Sequence, residues 1–268
     1  MKADTTDLAT HFAFGENWAS YSKLITASTV DEATSALSNL IGPIAGRSFL
    51  DIGCGSGLSS LAAQRLGARQ ILSIDLDNRC IETTKRLRSK FGSEKGWDIK
   101  DMSVFVAEPA SVGYFDIVYS WGVLHHTGDM RRAIERAAAL VGENGLFALA
   151  IYIKTPCCSA WRVEKWIYKN SPRLIQNILF WFYKIVRIAY IFLRSGGRRT
   201  DNMPGRGMDQ DHDLRDWLGG YPYESASLEE IDAIVVPLGF QRTKNVSPPR
   251  KSFGFLGTGN GEYLYQRV

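Results

Sequence analysis

The chain of 268 residues is long enough to bury one large core, or one core with a substantial insertion. Its composition, with 45% hydrophobic and 22% charged residues, excludes low-complexity and collagen-like chains. The four cysteines, Cys54, Cys80, Cys157 and Cys158, show no metal-ligand spacing, so we expect no metal site and a reducing cytoplasm.

Charge is unevenly distributed along the chain, although the net charge is only +4. Residues 161–200 hold nine Lys or Arg and one Glu, a net charge of +8, which leaves −4 for the rest. The first residues, MKADTTDLATHF, lack a basic patch followed by an apolar stretch. We therefore expect no signal peptide.

Short β-type runs alternate with helical runs from residue 47 to residue 153. The predicted strands are SFLDI, QILSID, MSVFVA, FDIVYSW and GLFALAIYI, and the predicted helices are GLSSLAAQRLG, CIETTKRLRSKFG and DMRRAIERAAALVG. This alternation predicts an α/β fold with a doubly wound, mostly parallel sheet. The alternation of strands and helices stops over residues 154–224. It resumes with a predicted helix in SLEEIDAIVVPLGF and two predicted strands, QRTKNV and GEYLYQRV.

A glycine-rich turn follows the first predicted strand in FLDIGCGSGLSS, and its glycines are Gly53, Gly55 and Gly57. A dinucleotide fingerprint would need a further glycine where Leu58 or Ser60 stands, and the lysine of a phosphate-binding loop is missing. Asp51 precedes the glycines, and its carboxylate would repel a pyrophosphate but attract a cation. The pattern therefore disfavours a phosphate ligand.

A second carboxylate, Asp75, ends the next strand in ILSID, where a carboxylate can accept hydrogen bonds from ribose hydroxyls. A nucleoside that carries a positive group and no phosphate suits both Asp51 and Asp75, and S-adenosylmethionine is such a molecule. Each carboxylate also has a structural alternative, because Asp51 could cap the turn and Asp75 could be a solvated strand end. Their combination with the glycines favours the ligand.

The segments LDIGCGSG, SIDLD and FDIVYSWGVLHHTGDMRRAIERAAALVGENGLFALA resemble class I S-adenosylmethionine-dependent methyltransferases, over residues 10–153 and more weakly over 225–268. The resemblance implies a seven-stranded Rossmann-like sheet whose last strand is antiparallel. Many members place an acidic residue after the third strand, whereas this chain has MSVFVA, so we expect Met102 and Ser103 beside the adenine. The cofactor-binding residues expected from the resemblance are Trp18, Asp51, Gly53, Cys54, Gly55, Gly57, Asp75, Leu76, Met102, Ser103, Ser120 and Trp121.

The fourth predicted strand ends in YSWGVLHHTGD, near the expected position of the cofactor's sulfonium. The ring of Trp121 could face that cation. His125 or His126 could act as a general base near neutral pH, or could simply hydrogen-bond the loop backbone. The residues leave this choice open.

Two further segments resemble a subgroup of these enzymes. In HFAFGENWASYSK, the residues Phe14, Asn17, Trp18 and Tyr21 could form a lid over the cofactor, or a helix packed on the sheet edge. The segment RGMDQDHDLRDWLGGYPYE carries a G-G-Y-P-[FY]-E signature, from which we expect an acceptor pocket with His212, Trp217, Tyr221 and Tyr223. Glu224 is a third catalytic candidate, with a structural salt bridge as the alternative.

A basic, aromatic stretch lies in the insertion. Residues 174–193 approach the length of a membrane span, but Lys184 and Arg187 fall in the middle, which predicts an amphipathic basic helix instead. It could be a lid over the active site, or it could lie on an anionic membrane through residues 174–194. Nucleic-acid binding is the least favoured alternative.

Together these features predict four segments: an N-terminal helical lid (1–46), a cofactor-binding core (47–153), a mainly helical acceptor-binding insertion (154–224) and a C-terminal completion of the sheet (225–268). The expected function is methyl transfer from S-adenosylmethionine to a small-molecule acceptor, at a hydroxyl of a glycan, lipid-linked or quinone-like precursor. A nitrogen or carbon acceptor and a non-catalytic S-adenosylmethionine-binding module are the alternatives. We expect a cytoplasmic protein, with contact at the inner face of the membrane as an option.

Overall fold

The structure, a computed structural model, describes residues 14–194, 209–247 and 259–268 together with Gly254 and Gly257. Within these residues seven strands form one sheet: β1 (Ser48–Ile52), β2 (Gln70–Asp75), β3 (Trp97–Asp101), β4 (Phe115–Trp121), β5 (Val141–Tyr152), β6 (Phe240–Val246) and β7 (Asn260–Arg267). The strand order is β3-β2-β1-β4-β5-β7-β6, and β7 runs antiparallel to both of its neighbours while the other pairs are parallel. The predicted seven-stranded, mostly parallel sheet is confirmed.

Ten helices surround this sheet in the part of the chain that the structure describes. They are α1 (Phe14–Tyr21), α2 (Ala27–Ile41), α3 (Leu58–Arg65), α4 (Asn78–Phe91), α5 (Pro109–Val112), α6 (Met130–Ala138), α7 (Cys158–Asn170), α8 (Arg173–Arg194), α9 (Gln210–Gly219) and α10 (Leu228–Val235). One buried apolar cluster joins the sheet to α2 and α3, and another joins it to α6 and α10. Because helices cover both faces, every residue of β1 is buried, including the polar residues Ser48 and Asp51.

The third strand is not where the sequence predicted it. The structure places β3 at WDIKD, and the predicted strand MSVFVA forms a turn after it. In that turn the amides of Val106 and Ala107 donate to the carbonyl oxygen of Ser103. The strand was missed because β3 lies at the edge of the sheet, where most of its residues are exposed or half-buried and can be polar.

The boundary between α6 and β5 also differs from the prediction. The helix begins after Asp129, whose carboxylate accepts from the Arg132 amide at 3.3 Å, as an N-cap should. It ends at Ala138, however, and Val141 already belongs to β5, where it pairs with Phe115 next to an irregularity in the register. Gly142 therefore lies inside the strand.

The segment in which the alternation of strands and helices stops is a helical insertion, as predicted. In the described residues it consists of α7, α8 and α9. A small apolar cluster of its own, centred on Tyr168, Phe180, Leu214 and Leu218, holds these helices together. The first helix, α1, ties the insertion to the core, because Glu16 pairs with Arg79 of α4 and with Arg173 of α8. The described part of the chain contains no helix that combines the length and apolar character needed to cross a membrane.

The proposed segment boundaries at residues 46, 153 and 224 remain predictions. Parts of three of the four segments, residues 1–13, 195–208, 248–253, 255–256 and 258, lie outside the described residues. These gaps include His11, Phe12 and Ala13 of the predicted lid segment and residues 206–208 at the start of the segment that carries the G-G-Y-P signature.

Candidate active site

A cavity of about 500 Å³ opens at the carboxyl ends of the parallel strands. Its floor is the glycine turn after β1, the end of β2, the turn after β3 and the loop after β4. Residues of α1, α8 and α9 close it from the other side. In open α/β sheets the crevice at this edge, where the strand order reverses, is the usual ligand site.

The glycine turn is held against β2 by backbone hydrogen bonds. The amides of Gly53 and Cys54 both donate to the carbonyl oxygen of Ile74, at 2.8 and 3.1 Å. Gly55 has a φ of +55°, and a Cβ there would lie 3.2 Å from the ring of Trp18, which packs over the turn. A side chain at this position would be strained and would push Trp18 away from the turn.

Two carboxylates flank the turn, the half-buried Asp75 and the buried Asp51. Asp75 accepts hydrogen bonds from the amides of Gly55 (3.0 Å) and Asp77 (2.9 Å), and burial raises its pKa to about 6. Asp51 is 2% exposed and accepts from the Ser60 hydroxyl at 2.6 Å, and burial raises its pKa to about 7. A carboxylate can accept about four hydrogen bonds, so each retains acceptor capacity. Two carboxylates shielded from water, with raised pKa values, suit a ligand that carries positive charge and hydroxyl groups.

The turn after β3 forms another part of the floor. The amide of Met102 donates to the carbonyl oxygen of Asp75 at 2.9 Å, which places Met102 and Ser103 beside the end of β2. Both residues line the cavity, as does Leu76. The Ser103 hydroxyl accepts from the Phe105 amide at 3.3 Å and so stabilises the turn.

The remaining predicted cofactor residues divide into two groups. Trp18, Trp121 and Cys54 line the cavity, and the indole N–H of Trp121 donates to Glu262 at 3.0 Å. Ser120 and Gly57 do not line it. The Ser120 hydroxyl donates to the carbonyl oxygen of Ile52 at 3.1 Å, which links β4 to β1, and Gly57 packs on Thr84 of α4.

Of the two neighbouring histidines, only His126 lines the cavity. Its Nδ1 lies 2.7 Å from the carbonyl oxygen of Pro222. A carbonyl oxygen can only accept, so Nδ1 carries the proton and Nε2 holds the lone pair of the neutral ring. His125 is fully buried against Tyr152, and its pKa lies well below the ordinary value because of burial and of the nearby His126 and Lys165.

The third catalytic candidate, Glu224, lies behind this loop and does not line the cavity. Its Oε2 accepts from the amide of Met130 at 2.9 Å, at the start of α6. Its own amide donates to the carbonyl oxygen of His125 at 3.0 Å. These bonds hold the loop after β4 in place, which is a structural role close to the alternative raised for this residue.

Among the predicted acceptor residues, Trp217 lines the cavity and three others do not. The Tyr223 hydroxyl donates to the thiol of Cys158 at 3.4 Å. His212 contacts the N-cap carboxylate of α9, with its Nδ1 2.6 Å from Asp209. Tyr221 is half-buried in the turn that precedes Pro222.

The structure adds two acidic residues that the sequence reasoning missed. Asp213 and Asp216 lie one turn apart on α9 and both line the cavity. Asp216 accepts from the side-chain amide of Asn17 at 3.3 Å, and burial, with a contribution from Asp213, raises its pKa to about 7. Asp213 lies 3.6 Å from the guanidinium of Arg187. The spacing of three in DHDLRDW could have identified them, because it places both on one helix face.

An aromatic wall completes this end of the cavity, with Phe14, Tyr152, Tyr183, Tyr190 and Trp217 among the lining residues. Behind it Lys165 is fully buried, donates to the carbonyl oxygen of Trp217, and has its Nζ 4.0 Å from the centre of the Trp217 ring. Burial lowers the pKa of Lys165 to about 7. Carboxylates, a histidine and aromatic rings therefore meet where an acceptor would enter.

Comparison with known proteins agrees with this geometry. A family model described as a methyltransferase domain matches residues 27–197. A ubiquinone biosynthesis O-methyltransferase from Xanthomonas axonopodis pv. citri (strain 306) is 32% identical over 163 residues, which cover 60% of this chain and 66% of that protein. Another from Caulobacter sp. (strain K31) is 32% identical over 113 residues, 42% of this chain and 44% of that protein. The chain thus spans less than two thirds of the length of these curated relatives.

Among solved structures, the magnesium protoporphyrin IX methyltransferase ChlM from Synechocystis PCC 6803 with bound SAH has a TM-score of 0.54. It is 15% identical, and the match covers 90% of this chain and 83% of that one, which shows a shared fold. Because the methyltransferase family model matches more than half of the chain, the chain belongs to the class I S-adenosylmethionine-dependent methyltransferase family. S-adenosylmethionine is its cofactor, and the carboxylates of Asp51 and Asp75 beside the glycine turn suit that molecule's hydroxyl groups and positive charges.

Proposed function

We propose that the protein transfers a methyl group to a hydroxyl oxygen of a small aromatic, quinone-like acceptor. The observation that carries this proposal is His126, whose Nδ1 is committed to the carbonyl oxygen of Pro222 and whose ring lines the cavity beside an aromatic wall. The names of the curated relatives, which are ubiquinone biosynthesis O-methyltransferases, support the same acceptor class.

Cofactor binding is assigned to the floor of the cavity. Asp75 would accept hydrogen bonds from the ribose hydroxyls, and Asp51 would face the amino group. Met102 and Ser103 would lie beside the adenine, and Trp18 would cover the glycine turn. When bound, S-adenosylmethionine supplies an electrophilic methyl group on a positively charged sulfur.

The chemical step is assigned to His126 in the loop after β4, together with cavity-lining residues of β5 and α9. The Nε2 lone pair of His126 would take the proton of the acceptor hydroxyl as its oxygen attacks, a contribution of about 10²–10⁴-fold for a positioned base. Asp213 and Asp216 would accept hydrogen bonds from other polar hydrogens of the acceptor, while Tyr152 and Trp217 would pack against its ring. The carboxylates disfavour an acceptor that carries its own negative charge near this point.

The test uses the purified full chain with S-adenosylmethionine labelled in its methyl group. The candidate acceptors are a short-tailed alkyl catechol, the matching aniline and a methyl glycoside, with the products identified by mass spectrometry. We expect an aromatic methyl ether from the catechol. Methyl transfer to the aniline or to a ring carbon would replace the oxygen assignment, and transfer to the glycoside would favour a glycan. Binding of S-adenosylhomocysteine without transfer to any acceptor would indicate a binding module.

Partners and location complete the proposal. The partner is a small molecule, and the protein is assigned to the cytoplasm, with peripheral contact at the inner face of an anionic membrane through residues 174–194. Nucleic acid is disfavoured, because two cations of the basic helix are engaged within the protein. Lys184 donates to Asp211 at 2.6 Å, and Arg187 pairs with Asp213.

A further inference from the structure

The helix α8 carries its apolar residues on the outside of the protein. Trp181 is 56% exposed and Leu193 is 79% exposed. Apart from Tyr190, which lines the cavity, the exposed apolar side chains of α8 are Leu174, Ile175, Ile178, Trp181, Phe182, Ile185, Ile188, Phe192 and Leu193, and α7 adds Val163, Trp166 and Ile167. We call this set the outward face. Soluble monomers seldom leave this many apolar side chains exposed on two helices that contact each other.

The opposite side of α8 is occupied. Phe180 is buried in the insertion's own cluster, and Lys184 and Arg187 face the acidic residues of α9. The polar stripe of the helix therefore points into the protein, and the broad apolar surface points out. The helix closes the cavity with its polar side, through Tyr183 and Arg187, and so covers the site without burying its apolar surface.

The exposed charged side chains that α7 and α8 themselves contribute are all basic. Glu164 is the only acidic residue from 158 to 194, and both of its carboxylate oxygens are buried. Arg162 is exposed on α7, and the Arg173 side chain at the start of α8 is 86% exposed, although its Nη2 lies 3.3 Å from Glu16. Exposed apolar and aromatic side chains edged by arginines match the composition of helices that lie on anionic lipid.

A second copy of the chain is a poorer match to this surface. A two-fold interface places the same patch on both sides. Two outward faces would therefore bring their arginines together, and the face itself has no exposed acidic side chain to pair with them. An anionic headgroup layer offers the complementary charge together with an apolar interior for Trp181 and Ile185. The bilayer is therefore the occupant that the charges favour.

We propose that the outward face of α7 and α8 docks on an anionic lipid bilayer, lying in its interface rather than spanning it. The apolar side chains enter the acyl region, and Arg162 and Arg173 contact the headgroups. Tyr183, Arg187 and Tyr190 of the same α8 line the cavity, so docking brings the acceptor end of the site close to the membrane. This link to acceptor delivery rests on the proposed function, whereas the docking itself does not.

The test is flotation of the full chain with vesicles of phosphatidylcholine alone and of equimolar phosphatidylcholine and phosphatidylglycerol. We expect binding to the mixed vesicles that weakens as salt is added, since exposed charges are screened. Replacing Trp181→Glu and Ile185→Glu should reduce partitioning by about tenfold for each lost apolar side chain. The matched control is Leu24→Glu with Tyr114→Glu, two exposed apolar residues elsewhere, which should bind like the unchanged protein.

Three results would overturn the proposal. One is the absence of flotation at low salt from protein that binds S-adenosylhomocysteine, and another is equal binding by the outward-face and control variants. The third is a dimer in light scattering that the outward-face variant converts to monomer, which would assign the face to a second copy. Methyl transfer to the short-tailed catechol is measured without vesicles, so a failure of the proposed reaction is distinguishable from a failure of docking.

Discussion

The imidazole Nδ1 of His126 lies 2.7 Å from the carbonyl oxygen of Pro222, and this contact joins the loop after β4 to the G-G-Y-P segment. The segment holds the loop at two more points, since Glu224 accepts from the Met130 amide and donates to the His125 carbonyl oxygen. Tyr221 and Tyr223 do not line the cavity. The signature thus acts by holding His126 in one tautomer and orientation, more than by lining the acceptor pocket.

Replacing His126 with Ala tests its assignment as the base. We expect turnover of the catechol acceptor to fall about 10²–10⁴-fold, the usual contribution of a positioned base. The affinity for S-adenosylhomocysteine, measured by calorimetry, should stay unchanged, because His126 is assigned to the acceptor and not to the cofactor. Glu224→Gln, which keeps an acceptor for the Met130 amide, is the control and should retain most of the activity. Full activity in the His126 variant would mean that the reaction proceeds by alignment alone.

Gly220→Ala should displace His126 without removing it. A Cβ at Gly220 would lie 2.6 Å from Cε1 of His126, while its φ of −58° is open to any residue, so the effect is one of crowding alone. Misplacement by about 1 Å can reduce turnover by about 100-fold. We expect a fall in kcat with the S-adenosylhomocysteine affinity unchanged. Gly142→Ala, where the nearest atom is 3.4 Å away, is the matched control, and equal kinetics of the two variants would contradict the prediction.

The sequence predicted six of the seven strands in the described residues, including β6 at one edge of the sheet, and missed β3 at the other edge. The strands β1, β4 and β5 are covered on both sides, so their apolar runs stand out, whereas β3 needs little apolar sequence at the edge. The glycine turn, Asp51 and Asp75 were found because local spacing defines them. All of these belong to one continuous strand–turn–helix pattern.

The acceptor end was harder to predict because it depends on how the insertion docks. The spacing of Asp213 and Asp216 places both on one face of α9, but their local sequence does not show that this face is the one turned to the cavity. The same holds for α8, whose amphipathic pattern does not say which side faces the protein. Asp211 and Asp213 of α9 pair with Lys184 and Arg187, and these ion pairs turn the polar side of α8 toward the protein.

Asp75→Asn tests the cofactor assignment. The change keeps the size of the side chain but removes the charge that would attract the ligand's hydroxyls. We expect the affinity for S-adenosylmethionine to fall by about 1.5–3 kcal/mol, the contribution of hydrogen bonds to a charged group. Asp101→Asn is the control, because Asp101 pairs with Asp75 in the sheet register yet is exposed. Unchanged affinity in calorimetry would remove Asp75 from the site.

Asp216 should make the protein's stability depend on pH. Its pKa is raised from the ordinary 3.8 to about 7, by burial and by Asp213, with Asn17 and Lys165 acting in the opposite direction. Between pH 3.8 and about pH 7 the carboxyl is protonated in the folded protein but ionised in the unfolded chain. The free energy of unfolding therefore falls as the pH rises, by at most about 1.4 kcal/mol per pH unit.

Asp216→Asn removes this ionisation while keeping an acceptor for Asn17. We therefore expect the Tm of the variant, relative to the unchanged protein, to increase as the pH is raised from 5 to 7, and to change little above pH 8, where the carboxyl is ionised in both states. Thermal unfolding at constant ionic strength measures the difference. Asp98→Asn, at an exposed position of β3, is the control and should show a difference that does not vary with pH. A pH-independent difference for Asp216→Asn would mean that its carboxyl is ionised throughout this range, and that the acceptor end of the cavity carries a permanent negative charge.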